Sequence, residues 1–420
     1  MRNVRPVATL LLAVLAVLTL SRPGMYAAEA GQTVIMDMDT VVHKPGVVGQ
    51  DKTPCGTVEP VEGKFGKACK FTFIANASGG FFTARIRPTD DWDKAAGISF
   101  WVKGDGSRSW GGLEMIDDED FSYRYGCCFP IDSTEWQKIT IPWCDLVPEH
   151  SNGKFVNVKD GYPASKFRNF WFGKWWYWRD YPANSFTIDQ VCLERKIAVD
   201  TADYTPPADG TPRLLARLKA RRPVTIVTMG DSLSDKKHWA NRQILWSEVL
   251  VADLKKQFGG EAKLVNAALG GTELRANLVL MPKWLKETPE PDLVTVWFGY
   301  NDWSSGTRGP AFKETMAFAV DRIRRMTHGK SEVLLMTPCP AMERWDTMEE
   351  LAEAVRAVAA EKKTGLADVA AAFHERGAQA DARPTLYCDD KTHLGGPGHA
   401  LASQTVLKAV TGGAGAAGKK

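Results

Sequence analysis

Ser232 sits in "VTIVTMGDSLSD" (224–235), where a run of apolar and β-branched residues passes straight into Gly-Asp-Ser. A buried strand that ends this way delivers a hydroxyl to the edge of a sheet. That hydroxyl is either a nucleophile or the cap of the next helix. A nucleophilic serine needs a base, a group that orients the base, and donors for the oxyanion that attack creates. The rest of the chain must supply them.

The chain has seven histidines. His43 and His150 lie in the first half, and His328 and His374 in charged, helical surroundings. His238 follows Ser232 by only six residues, placed by the helix expected there. "DDKTHLGGPGH" offers the best pair, Asp390 and His393, three residues apart on a loop. A short carboxylate at that spacing can reach back, fix the tautomer of the ring and stabilise the imidazolium formed during attack. Asp389 does not fit the spacing, and His399, just after Pro397-Gly398, reads as part of a helix start. "VNAALGGT" ends a strand in Gly270-Gly271, whose amides no side chain hides. "WFGYND" ends another in Asn301, whose amide can donate. With the Ser232 amide, these make three donors for one oxyanion, a set that works without metal or cofactor.

The elements that must position these groups follow from the alternation of patterns. From Val224 onward, apolar strands ("VTIVTM", "AKLVNAA", "DLVTVWFG", "EVLLMTP") alternate with amphipathic stretches near 239–257, 273–286, 311–327 and 347–362. A last helix is expected near His399. Strand–helix alternation predicts a mostly parallel sheet covered on both faces, with its active site beyond the carboxyl ends of the strands. Residues 31–198 show no convincing helix. They hold short alternating runs such as "KACKFTFIA", "GISFWVKG", "WQKITIPW" and "SFTIDQVCLE", cut by turn residues. This predicts an antiparallel β-sandwich. The polar, proline-rich segment 199–223 reads as a linker, within which "LLARLKARR" allows a short helix stopped by Pro223. The tail 413–420, "GAGAAGKK", reads as disordered.

Taken together, "GDSLS" (230–234), "NAALGGT" (266–272), "GYND" (299–302) and "DKTHLGGPGH" (390–399) resemble, in order, the four signatures of the SGNH, or GDSL-type, hydrolases. The resemblance covers 224–412 and implies an α/β/α, flavodoxin-like domain and a serine esterase. It implies Ser232 as nucleophile, His393 as base and Asp390 as its orienter. Ser232, Asn301 and a glycine of the second signature would line the oxyanion hole. Counted from Asn266, that glycine is Gly271, with Gly270 the alternative, and Thr272 replaces the usual Asp or Arg after it.

The first half resembles, more loosely, the galactose-binding-like, jelly-roll β-sandwiches found as carbohydrate-binding modules, on "ISFWVKGDG", "WQKITIPW" and "FTIDQVCLE". It holds nine of the 15 tryptophans, densest in "WFGKWWYWRD" (171–180). Alternation sets Trp176 and Trp178 on one face as a candidate sugar platform, unless that face docks on the hydrolase domain. Asp37 and Asp39 could contribute to a structural calcium site. Beyond the hydrolase strands, Trp303 and Arg308 are candidate substrate contacts.

Residues 1–30 read as a secretory signal: Arg2 and Arg5, the 14-residue apolar run Val7–Leu20, then "AAEA". A secreted or periplasmic protein without stable membrane insertion is expected. A net charge of +3, with Arg2, Arg5 and Arg22 in that leader, gives no reason to expect a nucleic-acid partner. Export permits disulfides among the eight cysteines. No Cys-x-x-Cys occurs and no histidine lies among Cys127, Cys128 and Cys144, which argues against zinc. The leading expectation is an exported carbohydrate esterase that deacetylates a polysaccharide or other acylated sugar. The alternatives are a lipase or lysophospholipase of the same type, or a carbohydrate-binding protein with an inactive hydrolase domain.

Overall fold

Two antiparallel sheets form the first half, because period-2 patterns give each strand one apolar face. The computed structural model describes residues 31–412, except 40–42, 47–54, 78, 84–85, 87, 117–122, 151–163, 175–181 and 380. The leader, the 413–420 tail, Trp176 and Trp178 therefore lie outside the described residues. One sheet runs in the order Gly56–Glu62, Lys67–Phe73, Asn184–Glu194, Gly97–Gly104, Gln137–Pro142, with Gln32–Met36 also paired to Asn184–Glu194. The other runs Val147–His150, Tyr123–Pro130, Trp110–Ile116, Asn169–Lys174, Gly79–Thr83, His43–Gly46. Between them lies a phenylalanine-rich core of Phe71, Phe73, Phe100, Phe129, Phe172 and Phe186.

The outer face of the second sheet is also buried. Leu113, Met115, Phe129, Phe170 and Phe172 point into the sandwich, while their neighbours Trp110, Ile116, Cys128 and Trp171 join the core of the second half. Trp171 lies flat across its sheet. A Cβ at Gly80 would sit 2.0 Å from its ring and one at Gly173 2.4 Å, so both positions need glycine.

The second half is a five-stranded parallel sheet in the order Ala262–Asn266, Val224–Gly230, Leu293–Trp297, Glu332–Met336, Gly365–Ala367. Helices Leu274–Val279, Met281–Glu287, Gly309–Met326 and Glu349–Lys362 pack on one face. Helices Trp246–Phe258, Val369–Arg376 and Gly396–Thr411 pack on the other. The single helix expected over 273–286 is two, broken at Leu280 before Pro282, whose ring cannot continue the hydrogen-bond ladder. Within 199–223, Pro212–Lys219 is a helix whose Leu214 and Leu218 are buried in a core of the second half. Its start is held by Glu332, which accepts the Arg213 and Leu214 amides at 2.9 and 2.7 Å.

The two halves meet along helices Leu274–Val279, Met281–Glu287 and Gly309–Met326. Apolar contact is joined by polar ties. Arg322, 2% exposed, donates to the Asp145 carbonyl at 2.9 Å and faces its carboxylate at 3.3 Å. Arg325 donates to the same carboxylate at 2.6 Å, and the Cys128 thiol to the Val279 carbonyl at 3.1 Å. All eight cysteines are free thiols. No helix among the described residues is long and apolar enough to cross a membrane.

Candidate active site

Strand Val224–Gly230 ends in a turn that is specified residue by residue. Gly230 is needed because a Cβ there would meet Ser234 Oγ at 2.6 Å. The buried Asp231 carboxylate accepts the Leu233 amide at 2.9 Å, and its carbonyl accepts those of Ser234 and Asp235, each at 3.0 Å. Burial pushes the Asp231 carboxyl up to about 6, against the Leu233 amide and the charge of His393, which lower it. Asn241, fully buried, donates from Nδ2 to the carbonyls of Ser232 and Asp235, each at 2.7 Å. Ser232 is therefore held from both sides of its peptide unit.

Ser232 Oγ lies 2.8 Å from His393 Nε2, and His393 Nδ1 lies 2.5 Å from Asp390 Oδ2. Asp390 Oδ1 accepts the amides of Thr392 and His393 at 3.1 and 3.0 Å. Burial works to raise the Asp390 pKa. The bonds from the His393 ring and from these two amides outweigh it, and the carboxyl stays below its usual range. A carboxylate on Nδ1 keeps the proton there and leaves the Nε2 lone pair facing the serine. Ser232, His393 and Asp390 thus form one hydrogen-bonded line, although they are up to 161 residues apart in sequence.

The glycine turn after strand Ala262–Asn266 borders Ser232: a Cβ at Gly270 would lie 3.6 Å from Ser232 Cβ. The Gly270 amide is taken by Asp235 Oδ2 at 2.9 Å. Gly271 follows in the left-handed region, φ +77°, where glycine is favoured. Asn301, on the short helix Tyr300–Ser304, donates from Nδ2 to the Thr272 carbonyl at 3.0 Å. Its neighbour Asp302, fully buried, accepts the Leu274 amide at 3.2 Å. Burial, and then the Glu273 charge, push the Asp302 carboxyl well above its usual range. The two loops proposed to supply oxyanion donors are thereby clamped together by adjacent residues.

Trp303 and Arg308 engage one another. The Arg308 guanidinium lies 5.4 Å from the Trp303 ring and donates to the Trp303 carbonyl at 2.9 Å. Arg344 approaches the same ring at 4.9 Å. Arg308 also pairs with Glu350 at 3.7 Å, and Trp303 packs against the core of the second half. Asp39 accepts the Lys67 amide at 2.6 Å and Asp37 that of Asp39 at 3.1 Å. Among the described residues there is no group of three or more His, Cys, Asp or Glu side chains placed to hold a metal.

Sequence reasoning passed over His238. Its ring lies on that of His393, centroids 4.1 Å apart and planes at 28°. Burial, and then the charge of His393, hold its pKa below the ordinary histidine value. Trp239 stands edge-on to His393 at 5.8 Å. Local pattern hid the place of His238: the helix expected from about 239 begins only at Trp246, and the residues before it form turns and a single 3-10 turn, Trp239–Asn241.

Residues 228–401 match the GDSL-like lipase/acylhydrolase family, and residues 39–152 match the family 11 carbohydrate binding domain. Among solved structures, a lipase/acylhydrolase from Enterococcus faecalis is 22% identical, covering 45% of this chain and 96% of its own at a TM-score of 0.37. An acetyl xylan esterase from Geobacillus stearothermophilus is 20% identical, covering 44% and 94% at 0.37. A family 11 carbohydrate-binding module from Clostridium thermocellum is 17% identical, covering 40% and 97% at 0.31. No curated protein matches the chain.

Proposed function

We propose that this chain, an ester-hydrolysing GDSL-type serine hydrolase joined to a carbohydrate-binding domain, is an exported esterase that removes acetyl or similar small acyl groups from a polysaccharide. The observation that carries the catalytic part is the unbroken line Ser232 Oγ–His393 Nε2 at 2.8 Å and His393 Nδ1–Asp390 at 2.5 Å. In this reading His393 takes the Ser232 proton as Oγ attacks the ester carbonyl. The Ser232 and Gly271 amides and Asn301 Nδ2 receive the oxyanion. Gly271 is preferred to Gly270 because Asp235 already occupies the Gly270 amide. His393 then passes its proton to the departing alcohol, and a water activated by the same ring releases the acid.

The carbohydrate half of the reading is supported by the match of residues 39–152 to a carbohydrate-binding domain. Export is supported by Arg2, Arg5 and the apolar run Val7–Leu20 ahead of "AAEA". A carbohydrate-binding protein with a silent hydrolase domain would have no need of an aligned Ser232, His393 and Asp390. The test is acetate release from a panel of acetylated polysaccharides, with long-chain lipid esters as the competing class. Turnover confined to lipid esters would overturn the substrate assignment and leave the serine chemistry intact.

A further inference from the structure

Only two large apolar side chains among the described residues are strongly exposed, Ile74 at 56% and Trp239 at 52%. Ile74 lies in the sandwich. Trp239 stands beside the catalytic line, its indole edge-on to the His393 ring at 5.8 Å and tilted against His238 at 5.4 Å.

The position of this indole is fixed with respect to the nucleophile. It opens the 3-10 turn Trp239–Asn241, capped by His238, whose Nδ1 accepts the Ala240 amide at 3.4 Å. The turn closes on Asn241, which is fully buried and donates to the carbonyls of both Ser232 and Asp235 at 2.7 Å. An exposed indole on a mobile loop would lose much of its binding energy to ordering. One anchored to the nucleophile's own carbonyl is already in place.

Which part of the ester it meets follows from the chemistry of His393. The ring that takes the Ser232 proton must hand it to the oxygen of the leaving alcohol. That oxygen sits at His393 Nε2 when the bond to the acyl carbon breaks. A group standing against the His393 ring therefore meets the alcohol, whereas the carbonyl oxygen points to the oxyanion donors Gly271 and Asn301. A flat, exposed, pre-positioned indole suits an alcohol with a flat apolar face, such as the C–H face of a pyranose.

We propose that Trp239 is the platform of an alcohol-side subsite, on which the sugar ring carrying the ester stacks during acyl transfer. The sugar identity of the ring rests on the function proposed above, whereas the side of the ester that Trp239 meets does not.

The test uses the full-length enzyme and two acetates that share an acyl group, an acetylated methyl xylopyranoside and ethyl acetate. Trp239→Ala should lower the ratio of their kcat/KM values, pyranoside over ethyl, by roughly 3- to 10-fold, and Trp239→Phe should restore most of it. The ratio is independent of the fraction of enzyme that folds. If both rates fall together and the ratio stays constant, Trp239 merely supports His393 and the proposal is wrong. A changed preference between nitrophenyl acetate and nitrophenyl butyrate would place the indole on the acyl side and also overturn it. Should the native enzyme show no preference for the pyranoside, cyclohexyl acetate takes its place. A cyclohexyl-to-ethyl ratio that falls in Trp239→Ala then sustains the subsite while the carbohydrate reading fails, and a constant ratio ends both.

Discussion

His238 lies face to face with His393, ring centroids 4.1 Å apart. The two rings cannot comfortably carry charge together, and burial and the charge of His393 both lower the His238 pKa, favouring its neutral form. When His393 becomes imidazolium during attack, it rests on a neutral aromatic face, an attraction of about 1 kcal/mol in partly exposed sites. His238→Ala should therefore lower kcat for a small ester by about 3- to 10-fold, and His238→Phe, which keeps the face, should restore it to within about 2-fold. Equal losses in both variants would shift the role to Nδ1 and its bond from the Ala240 amide.

Ser232→Ala should cut turnover by at least about 10³-fold, the scale of a serine triad. The fold should persist, since the serine's position is held by Asn241 and Asp231 through backbone groups. Near-native turnover would remove Ser232 from the chemistry.

Asn301→Ala should lower kcat by about 10²- to 10³-fold with a smaller change in KM, because an oxyanion donor acts mainly in the transition state. The variant also frees the Thr272 carbonyl, which Asn301 now holds at 3.0 Å. An effect confined to KM would make Asn301 a ground-state contact instead.

The hydrogen-bonded line of Ser232, His393 and Asp390 was legible because each of its members falls at the end of a strand or on a short loop where side-chain type and spacing say much. Asp390 and His393 stood out by their three-residue spacing, whereas the apolar run before Gly230 left Ser232 open between nucleophile and helix cap until the other segments were set beside it. The place of His238 was not legible, because nothing local marks residues 239–245 as turns rather than the start of the helix expected over 239–257. The three-residue strand Gly365–Ala367 is too short to leave a period of its own. Trp171 and its neighbours Phe170 and Phe172 lie in different cores, and no periodicity says whether an outward face meets solvent or another domain. The tie between Arg322 and Asp145 spans 177 residues and leaves no local trace.

His399 makes stability depend on pH. It is fully buried, accepts the Trp246 amide at 3.3 Å through Nδ1, and has no partner for Nε2 among the described residues. Burial, and then the charge of His393, push its pKa down to about 4. In the unfolded chain it takes a proton near ~6.5. Between these values the unfolded state binds more protons, so the His399 contribution is complete above about pH 6.5 and is lost as pH falls toward 4. Asp231, raised to about 6, works in the opposite sense over an overlapping range. The comparison with His399→Gln isolates the histidine. The difference in unfolding free energy between the native protein and this variant should shrink by about 3 kcal/mol from pH 7 to pH 4. A difference that does not change with pH would mean that His399 titrates normally.

The sandwich is expected to act as a docked partner of the hydrolase half rather than as a freely tethered module. Trp110, Ile116, Cys128, Val147 and Trp171 share one apolar core with Leu278, Val279, Met281, Trp284 and Leu285. Arg322, buried on the hydrolase side, faces Asp145 on the sandwich side. Removing one partner of a buried ion pair leaves an uncompensated charge. Because Asp145 is partly exposed, the cost of Asp145→Ala should be below the full value for such pairs, at about 2 kcal/mol. The native chain should unfold in one transition, and Asp145→Ala should lower its Tm or split it in two. A chain starting near residue 205 would expose the apolar docking face and leave Arg322 unpaired. It should aggregate, or lose activity on nitrophenyl acetate and on polymer together. A tethered module would behave differently: its loss would spare the small ester and raise KM on polymer alone, since a tether acts through effective concentration. Full activity of the shortened chain on the small ester, with unchanged Tm, would refute docking and return the outer face of this sheet to carbohydrate.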